Sequence, residues 1–217
     1  RLQYQVYDVT SQLKQGTNAL GSILGNMWWS SGLGWNGAAV YSNGPLRFLL
    51  SLHILYADST TEKITTDESW LWKDSPLLEN TIYHGVTYDA RLEEEGWNSP
   101  GFAAKGWQAV TAHPHTGAML VAQQAPAIQV TEEIRPVSVT ETDSGQFVFD
   151  FGQNVAGWAE LRVQGDSGTT VQLRFAELLD DEGNVAQENL RSARATDTYI
   201  LGGRGEERFE PLFTYHG

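Results

Sequence analysis

Short runs of alternating apolar and polar side chains, broken every few residues by Gly, Asn, Asp or Ser, set the strongest limit on how this chain folds. Val171, Leu173 and Phe175 alternate with Gln172 and Arg174, and Leu2, Tyr4 and Val6 alternate with Gln3, Gln5 and Tyr7. A period of two puts one set of side chains on each face of a strand, so every such run offers one face to a core. Phe48 to Tyr56 reads as a strand, turned by Ala57-Asp58-Ser59 into a second one ending near Ile64. Phe147 to Phe151, Thr169 to Phe175 and the strand-like stretch Ile128 to Ile134 are further strand candidates. The 22 glycines fit many tight turns. Helical signals are thin: Val9 to Gly16 offers one turn, capped by Thr10 or Ser11 and closed by Gly16, and Ala103-Ala104-Lys105 offers another. The pattern predicts an all-β chain.

With 217 residues, the chain can bury a sizeable core and is long enough for one large or two ordinary domains. The stretch His113 to Pro126 lacks sustained periodicity, and short, evenly spaced strand signals lie on both sides of it. This predicts two antiparallel, jelly-roll-like β-sandwiches, residues 1–122 and 123–217. The net charge of −13, from 27 acidic against 14 basic residues, makes nucleic acid and anionic membrane poor partners. The longest apolar runs, such as Phe48 to Leu55, fall well short of a membrane span. The absence of cysteine excludes disulfides and thiolate chemistry but leaves the compartment open between cytoplasm and secretion.

Eight tryptophans invite a carbohydrate reading, because flat rings stack on the apolar face of a sugar. Most rings in a β-rich chain plug cores or cover loop ends. Trp28, Trp29 and Trp35 stand apart, since the glycine-rich segment Gly25 to Gly44 looks like loop, and loops on a rigid scaffold are where binding sites usually live. With Asn26 they form the candidate carbohydrate-binding set. Asp180-Asp181-Glu182-Gly183-Asn184 is the densest acidic cluster, yet strand-like flanks make it a solvated hairpin turn rather than an acid/base pair or a calcium loop. His113-Pro114-His115 lacks a third ligand nearby and reads as linker, so no metal site and no cofactor are expected. Asp150, Gln153 and Asn154 fit a tight turn satisfying backbone groups, and Asp89 with Arg91 fits a buried ion pair. No nucleophile elbow, phosphate loop or dinucleotide fingerprint occurs.

Several blocks occur in a fixed order: Tyr4-Gln5-Val6-Tyr7-Asp8-Val9-Thr10, Asn18-Ala19-Leu20-Gly21 with Leu24-Gly25-Asn26, and Tyr83-His84-Gly85 with Tyr88-Asp89-Ala90-Arg91. Phe149-Asp150-Phe151-Gly152-Gln153-Asn154-Val155-Ala156-Gly157-Trp158, Glu188-Asn189-Leu190-Arg191-Ser192-Ala193, Asp197-Thr198-Tyr199 and Phe213-Thr214-Tyr215-His216-Gly217 follow. The series resembles the β-sandwich region that precedes the catalytic domain in bacterial α-L-rhamnosidases of glycoside hydrolase family 78. The resemblance implies a parent enzyme that removes terminal L-rhamnose with inversion, its carboxylates on a downstream (α/α)6 barrel absent here. It also implies a first sandwich lacking its opening strands and a second one stopping short at Gly217. The implied partners are that barrel, rhamnosyl glycans, and further copies of the parent in a homo-oligomer. The rival reading is a rhamnose-binding module. In relatives whose first sandwich holds sugar through calcium, an Asp-Asn pair precedes the Trp-Tyr that closes the Leu-Gly motif. Here Asn26 and Met27 replace that pair and Trp29 replaces the Tyr, which argues against a calcium-bridged site.

Overall fold

The computed structural model describes residues 1–33, 44–114 and 117–217, and its contacts divide the chain into two compact units. One comprises Arg1–Ser22, Phe48–Lys73 and Glu95–Glu133; the other comprises Ile23–Arg47, Asp74–Glu94 and Ile134–Gly217. Strands dominate both units, as the alternation predicts.

In the first unit the hairpin forms where the sequence places it, with Ser51–Leu55 antiparallel to Thr61–Thr65. The Asp58 carboxylate accepts from the Thr60 amide at 2.9 Å and the Thr60 hydroxyl at 2.6 Å, which closes the turn. Leu71–Trp72 pairs with Gln108–Ala109, and Leu2–Tyr4 pairs with Leu120–Ala122. The expected first helical turn is a 3-10 segment, Thr10–Gln12, whose amide at Thr10 is held by Asp8 rather than by a Thr10 or Ser11 cap. Ala103 to Lys105 forms turns, not helix. The run Ile128 to Ile134 is not a strand: it finds no pairing partner among the described residues, and Ile128 lies 83% exposed. Among the described residues this unit buries no side chain fully.

The second unit holds the core. Four strands order as Thr170–Arg174, Thr196–Ile200, Gly85–Asp89 and Leu77–Thr81. Val86, Ala90, Tyr199, Leu201 and Phe209 are buried together, with Leu161, Val163 and Val171 packed against them. Phe209 comes from Glu206–Phe209, which pairs with Leu161–Gln164, so this two-stranded sheet contributes to the same core. Tyr199 and Phe209 stack at 4.7 Å. Among the described residues, seven of the nine strand pairings are antiparallel; Leu2–Tyr4 with Leu120–Ala122 and Thr196–Ile200 with Gly85–Asp89 run parallel. The acidic cluster closes the hairpin between Leu178–Leu179 and Val185–Ala186, with Asp180 accepting from the amides of Glu182 and Asn184.

Candidate functional site

Two of the candidate tryptophans, Trp28 and Trp29, sit on a single helical turn, Met27–Ser30, that sequence periodicity gives no hint of. Four residues cannot sustain a helix by propensity, so the turn depends on tertiary anchors. The Asn80 side chain is the anchor. Its Oδ1 accepts from the Met27 amide at 3.3 Å, and its Nδ2 donates to the Leu212 carbonyl at 3.1 Å. Gly25 lets this approach happen, because a Cβ there would lie 2.6 Å from the Phe213 ring and 2.7 Å from Asn80 Oδ1. Met27 pays with a left-handed backbone, φ 29°. The Ser31 hydroxyl donates to the Met27 carbonyl and ends the turn.

Asn26 is exposed and its side chain makes no cap. Trp28 is 54% exposed and presents its ring to solvent, whereas Trp29 is partly buried with an indole N–H that finds no acceptor among the described residues. Trp35 lies outside the described residues. The turn can offer a sugar one stacking surface and an exposed amide, but no carboxylate among Asn26, Met27, Trp28 and Trp29. Among the described residues, no group of three His, Asp or Glu side chains is arranged to hold a metal ion.

Three buried carboxylates elsewhere in this unit are each engaged in holding the fold. Asp89 takes a two-pronged bond from Arg91, at 2.8 and 2.7 Å, which keeps its carboxyl below the usual range; the expected pair forms, but it is buried on the Asp89 side alone, because the Arg91 side chain is 48% exposed. Asp197, wholly buried, accepts from the Val86 amide at 3.0 Å and from His216 Nε2 at 3.0 Å, while its second oxygen has no partner among the described residues. Phe175 stacks on the His216 ring at 4.3 Å. Glu207 accepts from the amides of Gly202, Gly203 and Arg204 and from the Tyr199 hydroxyl. Burial works against its charge, but these donors outweigh it and depress its pKa. The same burial, with Glu207 beside it, raises the Tyr199 phenol.

Sequence reasoning missed Asn80, the Asp197–His216 pair and the Glu207 cradle. The only signals were weak ones: a Gly202-Gly203 turn four residues before Glu207, and the Asp197-Thr198-Tyr199 and Tyr215-His216-Gly217 blocks, which carry no chemistry on their face.

Comparison with known proteins gives a consistent picture. The family profile for the α-L-rhamnosidase N-terminal domain matches residues 1–132, and that for the bacterial α-L-rhamnosidase concanavalin-like domain matches residues 140–217. An α-L-rhamnosidase of Streptomyces avermitilis is 44% identical over 218 residues, covering all of this chain and 21% of that protein. The crystal structure of Streptomyces avermitilis α-L-rhamnosidase complexed with L-rhamnose superposes with a TM-score of 0.89 at 41% identity, covering 99% of this chain and 21% of that one. Native α-L-rhamnosidase from Aspergillus terreus superposes at 0.87 with 33% identity, covering the whole of this chain and 25% of that one. The chain thus spans about a fifth to a quarter of the length of these relatives.

Proposed function

The chain belongs to the α-L-rhamnosidase family, and from that premise we propose that it is a non-catalytic, accessory β-sandwich region of an enzyme that hydrolyses terminal α-L-rhamnose from glycosides. The observation that carries this reading is the use of its carboxylates. Glycoside hydrolysis needs two carboxyl groups facing one bond. The buried ones here, Asp89, Asp197 and Glu207, are tied into an ion pair, a histidine contact and a backbone cradle. The catalytic barrel, on this reading, is supplied by the parent chain. The sandwiches pack on it, shape the approach to its pocket, or hold subunits of a homo-oligomer together.

Turnover of an aryl α-L-rhamnoside by the purified chain is the test. General acid–base participation contributes roughly 10²–10⁴ in rate, so a chain lacking it stays at background. Saturable turnover abolished by mutating one of its own carboxylates would falsify the accessory reading.

A second reading, a rhamnose-binding module, draws on Trp28, whose exposed ring suits stacking, with Asn26, Trp29 and Trp35 as the remaining members of the set. The Streptomyces avermitilis enzyme, crystallised with L-rhamnose, lends it support. Asn26 and Met27 argue against calcium as a bridge, because an amide is a poorer ligand than a carboxylate and a thioether is no match for this cation.

A further inference from the structure

The outer face of the four-stranded sheet carries chemistry that the accessory reading leaves unused. Strand register aligns Gln172, Thr198, Thr87 and Glu79 in one row across all four strands, with Arg174 opposite Thr196 in the next row. These residues floor an open cleft of about 580 Å³, walled by Gln187, Arg191 and Arg194 from the Glu188–Ala193 block and its flanks. A polar sheet face turned to water is ordinary, so the row alone decides nothing. Three further features do.

Gln187 is fixed at the cleft wall. Its Oε1 accepts from Arg174 Nε at 3.1 Å, and its Nε2 donates to the carbonyls of Phe175 and Arg194 at 3.0 and 2.9 Å. The backbone turns left-handed at Arg191, φ 59°, and at Ala195, φ 40°, without a glycine at either position. Such conformations persist only where their surroundings enforce them, and they gather at ligand clamps. Finally, Arg174, Arg191 and Arg194 converge here against Glu79 and Glu188, so the lining is net positive in a chain whose net charge is −13.

We propose that this cleft binds a small sugar acid, a single uronate residue in size. The carboxylate meets the guanidinium groups of Arg174 and Arg194, and the ring hydroxyls meet Gln172, Thr198 and Thr87. The volume falls within the few hundred Å³ typical of small-molecule sites. No aromatic side chain lines the cleft, so a neutral pyranose has no stacking surface there and the charge must supply the affinity. Arg194 is paired with Glu79 at the cleft edge. An exposed ion pair of this kind contributes little, so an incoming carboxylate displaces it at small cost.

Calorimetry of the 217-residue chain with D-glucuronate, D-galacturonate and D-glucose tests the assignment. Uronates are expected to bind at least about 10-fold more tightly than glucose, and more weakly as salt is raised. Folded Arg174→Gln and Arg194→Gln variants should each lose about 10-fold, whereas Trp28→Ala, outside the cleft lining, should lose nothing. Should an arginine variant fail to fold, Thr198→Val probes the sheet row instead and should weaken uronate binding. Equal affinity for glucose and glucuronate, no saturable uronate binding by the folded chain, or unchanged binding in the folded variants overturns the proposal. Since the cleft and the Trp28 turn share no residue, failure here leaves the rhamnose readings untouched.

Discussion

The Tyr199 hydroxyl donates to a Glu207 carboxylate oxygen across 2.7 Å, joining Thr196–Ile200 to Glu206–Phe209 at the centre of the second unit's core. The other oxygen of Glu207 accepts from the Gly203 and Arg204 amides at 2.7 and 3.1 Å. One side chain therefore fixes both the strand connection and the ring that stacks on Phe209. Hydrogen bonds to a charged acceptor contribute more than neutral ones, and orphaned buried donors cost their full desolvation. Glu207→Ala should destabilise the fold by roughly 2–4 kcal/mol in urea denaturation. A midpoint within error of wild type would show that the cradle is incidental.

The same carboxylate makes a pH signature. Its folded pKa lies below the ordinary glutamate value, so its stabilising contribution is fully present above that value and is lost as pH falls through the depressed one. Thermal stability of the wild type should thus decline from about pH 5 downward, more steeply than that of Glu207→Gln, which has no proton to take up. Parallel pH profiles for the two proteins would contradict this.

Gly85 begins the strand that carries Val86, with φ +93°. A Cβ there would sit 2.6 Å from Asp197 Oδ1 and closer still to the Thr196 carbonyl, which is backbone and has nowhere to move. Gly85→Ala combines left-handed strain of about 1–2 kcal/mol with that clash, and should lose at least 2 kcal/mol or so of stability. Gly96→Ala is the control. Its φ of +77° carries comparable strain, but nothing lies near the added methyl, so the smaller loss isolates the clash.

Asp197 and His216 form another buried contact, 3.0 Å apart and both nearly without solvent. Asp197→Ala strips a partner from the Val86 amide and from the histidine together. The expected loss is roughly 3 kcal/mol, with the Phe175–His216 stack loosened and visible as a shift in the His216 ring proton resonances. Unchanged His216 resonances would mean the pair does not position the ring.

Much of the strand framework was legible because alternation is a local signal. Leu52 and Ile54 against Ser51 and His53, and Val171 and Leu173 against Gln172 and Arg174, are partly buried on one face and exposed on the other, as their order implies. The helical turn at Trp28 was not legible, since its stability comes from Asn80, far along the chain. Nor was the parallel pairing of Thr196–Ile200 with Gly85–Asp89, because pairing partners leave no trace in a period of two. The stretch Ile128 to Ile134 misled for the converse reason: the alternation of Ile128 and Val130 with Gln129 and Thr131 promises a strand only where a neighbour supplies its hydrogen bonds. The carbohydrate set was legible as residue types, but exposure separates its members, leaving Trp28 open and Trp29 half covered.

Burial predicts a sharp contrast in local stability. Every buried side chain among the described residues, from Ser31 to His216, belongs to the second unit, while Leu55, Tyr56 and Ile64 of the first unit's hairpin are exposed. Hydrophobic burial is the main force opposing chain entropy, and a two-stranded hairpin without it is marginal. Amides of Ser51–Leu55 and Thr61–Thr65 should exchange through local opening that costs far less than global unfolding. Amides of Val86, Tyr199 and Leu201 should exchange only with global unfolding. Native-state hydrogen exchange read by NMR separates the two regimes residue by residue. Equal protection in the hairpin and in the four-stranded sheet would mean that the hairpin's exposed apolar side chains are covered in solution.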